Sequence, residues 1–251
     1  MKLTLLGTGN VQAAPLYGCD CIACKRAQKN PSLSRQLSSA VLEVNGKCLL
    51  IDANHPQLQS RFPANSIDAI LLTHYHMDHV QALFDLRWGI ADPIPIYQPN
   101  DPNGCDDLFK HPGILDFQQA NKAYSRFQLA DIEIMPLTLN HSKPTLGYLF
   151  SSAQGQIAYL TDTAGIPDPS WQQLLRHQPD YVVIDCSYSP LQHSPNHNNL
   201  YDVFEFAHAM PETQWVLSHI GHELDSFLHQ YNGELPSNVQ VGHDDMQLTL
   251  E

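Results

Sequence analysis

Three imidazoles and a carboxylate stand within six consecutive residues of this chain, His74-Tyr75-His76-Met77-Asp78-His79. Imidazole nitrogen and carboxylate oxygen are donors that borderline divalent cations accept, and such a density of them reads as a metal site. The apolar run Ile67–Leu72 predicts a buried strand ahead of the cluster, and Val80–Trp88 predicts a helix behind it. The donors therefore fall at a strand-to-helix turn. A backbone changing direction there aims alternate side chains at two neighbouring points, which a continuous strand or helix does not do.

The pattern His-x-His-x-Asp-His resembles the signature of the metallo-β-lactamase superfamily. That resemblance implies an α/β fold, the four-layer αββα sandwich, and donors further along the chain. They are present in the expected order, each after an apolar strand: His141 after Ile132–Leu139, Asp162 after Ile157–Leu160, and His219 after Trp215–Leu217. By resemblance, His74, His76 and His141 hold one metal, Asp78, His79 and His219 hold a second, and Asp162 bridges them. Asp52, at the end of the strand Cys48–Asp52, is the residue expected to support the site from behind the ligands. The superfamily commonly has Asp-x-Gly at this place; here Asn54 replaces the glycine, and Asn is the usual substitute where a left-handed backbone is wanted. Two divalent ions about 3.5–4 Å apart share a water, lower its pKa toward neutrality and present hydroxide as a nucleophile. Such donors take Zn²⁺, Mn²⁺, Fe²⁺ or Ni²⁺ alike.

A second donor set lies upstream. Cys19, Cys21 and Cys24 follow a Cys-x-Cys-x-x-Cys spacing, which supplies three soft ligands, one short of a closed tetrahedral zinc site. The fourth must come from far along the chain. Of the other cysteines, Cys48 and Cys186 fall in apolar strand-like runs and are expected to be buried packing residues, and Cys105 lies in a polar loop.

The elements that must position these residues alternate between Ile/Val-rich strands and helices, which implies layered α/β packing. The strands beyond those named are Leu3–Leu6, Ala40–Val44, Ile94–Tyr97, Leu146–Phe150 and Tyr181–Asp185. Asn45-Gly46 marks a tight hairpin. Helices are expected over Lys25–Lys29, Ser170–His177, Leu200–Met210 and from His222 to about Gln230. The stretch Asp106–Phe127 reads as one or two short helices that shape a cleft. Gly7-Thr8-Gly9 lacks the third glycine and the helix of a dinucleotide fingerprint.

At 251 residues, 43% of them hydrophobic, the chain is expected to form one domain, 1–251, with the cysteine cluster as an insertion near 19–24. With 13 basic against 26 acidic residues the formal charge is −13, and no Lys/Arg-rich run offers a nucleic-acid footprint. No apolar run reaches the roughly 20 residues that span a bilayer. The N-terminus meets Gly7 too early for a signal peptide. The expectation is a cytoplasmic protein with no nucleic-acid or membrane partner.

Gly-x-Gly near the start, the cysteine cluster near position 20 and the late Ser218-His219-Ile220-Gly221-His222 together resemble the PhnP family of cyclic phosphodiesterases, over essentially the whole chain. The resemblance implies that Cys19, Cys21, Cys24 and His222 hold one structural zinc, apart from two catalytic metals, Mn or Zn with Ni or Fe as further candidates. Spacing alone would give His219 and His222 to one metal. The resemblance also implies that a histidine of the loop His193–Asn199 acts on the phosphate. His197 fits that role, with His193 the alternative, and Asp78 is the other catalytic candidate. The implied activity is hydrolysis of a small cyclic phosphate, 5-phospho-α-D-ribose 1,2-cyclic phosphate, to ribose 1,5-bisphosphate in phosphonate catabolism, by a protein that pairs as a homodimer. Three readings compete with it: a tRNA 3′-processing endonuclease, a thioester or lactam hydrolase, which His79 and His197 disfavour, and a catalytically silent metal-binding protein resembling PqqB.

Overall fold

In Leu49-Leu50-Ile51 every residue is apolar, so this strand has no solvent face and must be covered on both sides. In the computed structural model, which describes residues 1–251, each face belongs to a different core. Leu49 and Ile51 point into the cluster between two sheets, while Leu50 packs outward beneath helices. The same alternation divides Val183 from Val182 and Ile184, and Val216 from Trp215 and Leu217, in the second sheet. Three apolar interfaces separated by two sheets make a helix–sheet–sheet–helix sandwich, as the sequence predicted.

The first sheet is built from β1 (Lys2–Gly7), β2 (Ser39–Val44), β3 (Lys47–Ile51), β4 (Ala69–Leu71), β5 (Ile94–Tyr97) and β6 (Leu115–Phe117). The second is built from β7 (Phe127–Leu129), β8 (Ile132–Thr138), β9 (Leu146–Ser152), β10 (Gly155–Leu160), β11 (Tyr181–Asp185), β12 (Gln214–Ser218) and β13 (Val239–Val241). β14 (Gln247–Thr249) returns to the first sheet beside β1, so both sheets have seven strands, in the orders β14-β1-β2-β3-β4-β5-β6 and β13-β12-β11-β10-β9-β8-β7. The helices are α1 (Ile22–Lys29), α2 (Leu58–Arg61), α3 (Met77–Val80), α4 (Leu83–Leu86), α5 (Asp106–Lys110), α6 (Asp168–His177), α7 (Leu200–Ala209) and α8 (His222–Gln230). Leu58, Val80, Leu83 and Leu108 cover the outer face of the first sheet. Leu174, Leu200, Val203 and Leu224 cover that of the second. Each such side chain contributes about 1.5–3 kcal/mol on burial.

Several local expectations hold for stated reasons. Asn45 (φ 51°) and Gly46 (φ 74°) both take left-handed backbone, as a two-residue hairpin between β2 and β3 requires. Others are corrected. Val80–Trp88 is not one helix but two short ones, α3 and α4. Ala82 N–H donates to Ala53 O (2.9 Å) and Ala53 N–H to His79 O (2.9 Å), so the backbone between them is tied to the loop after β3 instead of to its own helix. Asp106–Phe127 contains one helix, α5, then β6 and the start of β7. β7, β13 and β14 were not anticipated, because three residues are too few to show a period. The left-handed residue after β3 is Asp52 (φ 61°), not Asn54. Cys186 is buried as expected, but Cys48, near the start of β3, is only half-buried.

Two hydrogen bonds tie the second sheet to the motif, one from Leu146 N–H to Thr73 O (2.9 Å) and one from a side chain. Tyr148 of β9 is fully buried, and its hydroxyl donates to the carbonyl of Leu72 (2.6 Å), just ahead of Thr73-His74. Tyr148→Phe leaves that carbonyl without its side-chain donor and is expected to lower stability by about 1–3 kcal/mol. Denaturant unfolding checks this; an unchanged midpoint would mean that the carbonyl finds another partner.

Candidate functional site

The predicted donors come from the ends of β4, β8, β10 and β12, on loops that converge where the two sheets open. His74, His76 and His141 form one group whose donor atoms all lie within 4.8 Å of one another, and Asp78, His79 and His219 form another. His76 Nδ1 stands 2.9 Å from His74 Nε2 and 3.1 Å from His141 Nε2. Asp162 lies between the groups. Its Oδ2 is 3.9 Å from His74 Nε2, 3.5 Å from His79 Nε2, 3.8 Å from His141 Nε2 and 3.2 Å from His219 Nε2. The arrangement is that of two donor sets on either side of one carboxylate.

The outward nitrogens of His74, His79, His141 and His219 are engaged, and the inward ones of His79 and His219 are left without a partner. Asp52, fully buried, accepts from Thr73 N–H and Thr73 Oγ1 (both 2.8 Å) and from His79 Nδ1 (2.7 Å). His74 Nδ1 faces Thr73 Oγ1 (3.0 Å), and His141 Nδ1 donates to the carbonyl of Asn196 (3.2 Å). His219 Nδ1 faces Ser187 Oγ (2.8 Å), which donates to Asp185 Oδ1 (3.0 Å). Such outer bonds fix the tautomer and the ring plane of a metal-binding histidine.

The fit to cations rests on what these bonds leave over. His79 Nε2, His219 Nε2 and Asp162 Oδ1 are buried and have no hydrogen-bond partner. Unpartnered buried polar atoms are costly unless something charged answers them. Electrostatics agree. Burial works against ionisation of Asp162, yet His219, His79 and His74 hold its carboxyl well below the usual carboxylate range. Burial likewise opposes a charge on His79 and His219, but Asp162 together with Asp52 at His79, and with Asp185 at His219, outweighs it and raises both. A buried carboxylate that draws its neighbouring imidazoles toward protonation calls for positive charge, and a divalent cation held there would supply it while the rings serve as neutral nitrogen donors.

The cysteine cluster forms a separate site. Cys19, Cys21 and Cys24 Sγ stand 3.6, 3.7 and 3.5 Å from His222 Nδ1. With Zn–S about 2.3 Å and Zn–N about 2.1 Å at tetrahedral angles, the expected S···N edge is about 3.6 Å. His222 Nε2 donates to the carbonyl of Ala13, so Nδ1 is the nitrogen left to the sulfurs. His219 and His222, three residues apart, thus serve different sites. Between them, Ile220 N–H donates to Thr8 O (2.8 Å), Asn10 N–H to Ile220 O (3.2 Å), and Gly221 N–H to Ser187 O (3.2 Å).

His197 lies at the edge of the donor cluster, with its donor atom within 4.8 Å of those of His141 and Asp162. Its ring stacks on that of His219 at 4.8 Å and 19°. Its Nδ1 donates to Asp185 Oδ2 (2.7 Å). His193 is not in this group; its Nδ1 faces Asn199 Nδ2 at 3.5 Å. Sequence reasoning missed Asp185, which also accepts from Thr163 N–H (3.0 Å) and so holds His197, Ser187 and the turn after Asp162 together. The signal was available: Asp185 ends an apolar strand, as Asp52 does. A cavity of about 280 Å³ opens over the cluster, with Val11, Met77 and Asn196 among its walls.

Two outcomes are expected. Asp52→Ala frees the His79 ring and lowers retention of the cation held there about 10–100-fold, read by competition with a chelator. Unchanged retention would place the control of His79 elsewhere. Cys21→Ser removes one zinc per chain by elemental analysis and also lowers hydrolysis, because Ser218–His222 links the two sites. Full activity in a variant shown to have lost that zinc would sever the link.

Comparison with known proteins agrees with this geometry. The chain is 28% identical over 270 residues to an octanoyltransferase of Porphyromonas gingivalis, covering all of this chain and 52% of that protein. It is 26% identical over 146 residues to ribonuclease Z of Thermococcus kodakarensis, covering 53% of this chain and 46% of the relative. The chain thus spans about half the length of the curated relatives it matches. Among solved structures, a diphosphatase from the PhnP family superposes with a TM-score of 0.81 at 28% identity, over 98% of this chain and 96% of that one. The family model described as "Beta-lactamase superfamily domain" matches residues 40–220, a span that takes in all seven donors of the cluster, His197 and Asp185, and the chain belongs to that superfamily.

Proposed function

We propose that this protein is a metal-dependent phosphodiesterase of small cyclic phosphates, with 5-phospho-α-D-ribose 1,2-cyclic phosphate as substrate and ribose 1,5-bisphosphate as product. The observation that carries the reading is His197, a histidine outside the two donor sets, held by a buried carboxylate against the edge of the cluster. When bound, two divalent cations in these donors supply Lewis acidity toward the phosphoryl oxygens and make a water acidic enough to attack. The chain's residues do the rest. Asp185 takes His197 Nδ1–H and turns the other ring nitrogen toward the cavity, where it protonates the leaving oxygen or stabilises its charge. Burial works against ionisation of Asp185, yet His219 and His197 hold its carboxyl below the usual range, so it stays an acceptor. Burial also works against ionisation of Asp78, and the neighbouring His79 ring, with Nε2 3.5 Å from Asp78 Oδ2, holds its carboxyl low, so it stays an acceptor.

The ribonuclease Z relative favours a second reading, tRNA 3′-end cleavage. A formal charge of −13 and the lack of any Lys/Arg-rich run weigh against a polyanionic substrate. A silent PqqB-like role has no use for a complete donor set with a carboxylate-held histidine beside it. No helix is long and apolar enough to cross a membrane, and a cytoplasmic, homodimeric enzyme remains part of this proposal.

His197→Ala is expected to cut turnover of bis(p-nitrophenyl) phosphate and of the cyclic substrate by about 10²–10⁴. Its metal content, measured on the same sample, should be unchanged. Undiminished turnover would give the proton transfer to another group. A wild-type protein with one tightly held zinc and no diesterase activity, even with added Mn²⁺, would favour the silent role.

A further inference from the structure

Helix α3 carries two donors of one set, Asp78 and His79, and it is a single turn, Met77–Val80. A helix of that length leaves most of its carbonyls without partners of its own. His76, at its N-terminal end, adds no side-chain cap. What holds the turn in place must come from outside it.

The hold comes from the loop after β3. The carbonyl of His79 accepts from Ala53 N–H (2.9 Å), and that of Asp78 accepts from Asn54 Nδ2 (2.7 Å). The same Nδ2 donates to the carbonyl of Ser38 (2.8 Å), just ahead of β2, and the carbonyl of Asn54 accepts from Gln81 Nε2 (3.0 Å), just past the helix. Both amide protons of Asn54 are thus engaged by backbone carbonyls. The reverse orientation would set Oδ1 against two carbonyl oxygens, so the surroundings dictate this one. None of these bonds reaches a residue of the other donor set.

Asn54 is 1% exposed, and its Oδ1 has no hydrogen-bond partner. A buried amide left half satisfied is costly, and a glycine, common at this place in the superfamily, would avoid that cost. What the side chain adds is the pair of bonds from Nδ2. Ser38 shows where they lead: its Oγ stands 3.3 Å from Ser218 Oγ, and Ser218 directly precedes His219, the third donor of the set. One amide therefore joins the carbonyl of Asp78, on the first sheet, to the residue that touches the end of β12, on the second.

We infer that Asn54 is a positioning residue for the cation of the Asp78, His79 and His219 set, its amide fixing the one-turn helix so that donors from two sheets keep their spacing. Asp52 orients the His79 ring; Asn54 sets the backbone from which that ring and the Asp78 carboxylate project. The inference rests on the two-set reading of the donors that underlies the proposed activity, and it adds a residue on which one set depends and the other does not.

The test reads cation binding directly. Protein stripped of metal is titrated with Co²⁺ against a competing chelator, in a His76→Ala background that disables the first set. The visible bands of Co²⁺ on nitrogen and oxygen donors are followed apart from the thiolate bands of the cysteine site. Asn54→Ala and Asn54→Gly are expected to weaken the ion on nitrogen and oxygen donors about tenfold. Asn54→Asp, which sets a carboxylate against two carbonyls, should weaken it more than Asn54→Ala does. Val203→Ala, a cavity in the outer core of the second sheet, is the control: it should lower the unfolding midpoint and leave Co²⁺ affinity unchanged. With His76 intact, the Asn54 variants should need about tenfold more metal for half-maximal turnover of bis(p-nitrophenyl) phosphate and recover at saturating metal. Equal affinity across the series, a loss in Asn54→Asp no greater than in Asn54→Ala, or the same loss in Val203→Ala would overturn the inference and leave the metal reading intact. A parent protein that takes up Co²⁺ only on its cysteines would overturn both. The expected affinity series in a protein without diesterase turnover would support Asn54 in this role and sink the diesterase reading.

Discussion

A carboxylate buried with one oxygen unanswered is the constraint that the site is built to satisfy. Asp162 stands at the end of a core strand, within 3.9 Å of four imidazole nitrogens, and its Oδ1 has no partner among the protein atoms. Burying such a charge in an apolar sandwich is costly, and histidines alone relieve it only by taking up protons. Divalent cations relieve it while leaving the histidines neutral. The sandwich thus creates a demand for metal where its loops converge, and the donors around Asp162 meet that demand.

Those donors work only if each ring presents the correct nitrogen, and this is the task of a layer of residues behind them. Asp52, Thr73 and Ser187 are each almost wholly buried and each bonds the outer nitrogen of an imidazole. Two site residues, Asp52 (φ 61°) and His219 (φ 55°), adopt left-handed backbone to reach their places. For residues other than glycine that conformation costs on the order of 1–3 kcal/mol, which the surrounding sheet and hydrogen bonds offset. Asp185 extends the same logic from binding to chemistry, because one carboxylate serves His197 through one oxygen and Ser187, hence His219, through the other.

The cysteine cluster contributes from outside the cleft. It joins the N-terminal segment to the first residue of α8, and Arg35 and Arg26 reach Asp225 of the same helix at 3.4 and 3.6 Å. Only Ile220 and Gly221 separate its His222 from His219, and the backbone of both is bonded to Thr8, Asn10 and Ser187. The cysteine cluster and the last donor of the Asp162 group are thus joined through two residues whose backbone is tied in place.

The sequence by itself determined the layers and the donors. Fully apolar strands such as Leu49-Leu50-Ile51 demand cover on both faces, and donors that end apolar strands announce themselves by type and place. It also disclosed the three cysteines through their local spacing, and Asp52 through the resemblance to the superfamily's pattern. The tertiary structure decided which distant residues meet. That His222 turns to the cysteines and His219 to Asp162 depends on the backbone bonds of two residues between them. That Asp185 grips His197, and that Asn54 bridges Asp78 and Ser38, depends on strand order and loop approach. Those are non-local facts: residues tens of positions apart share no period or motif, and only the packing of the two sheets brings them within reach of one another.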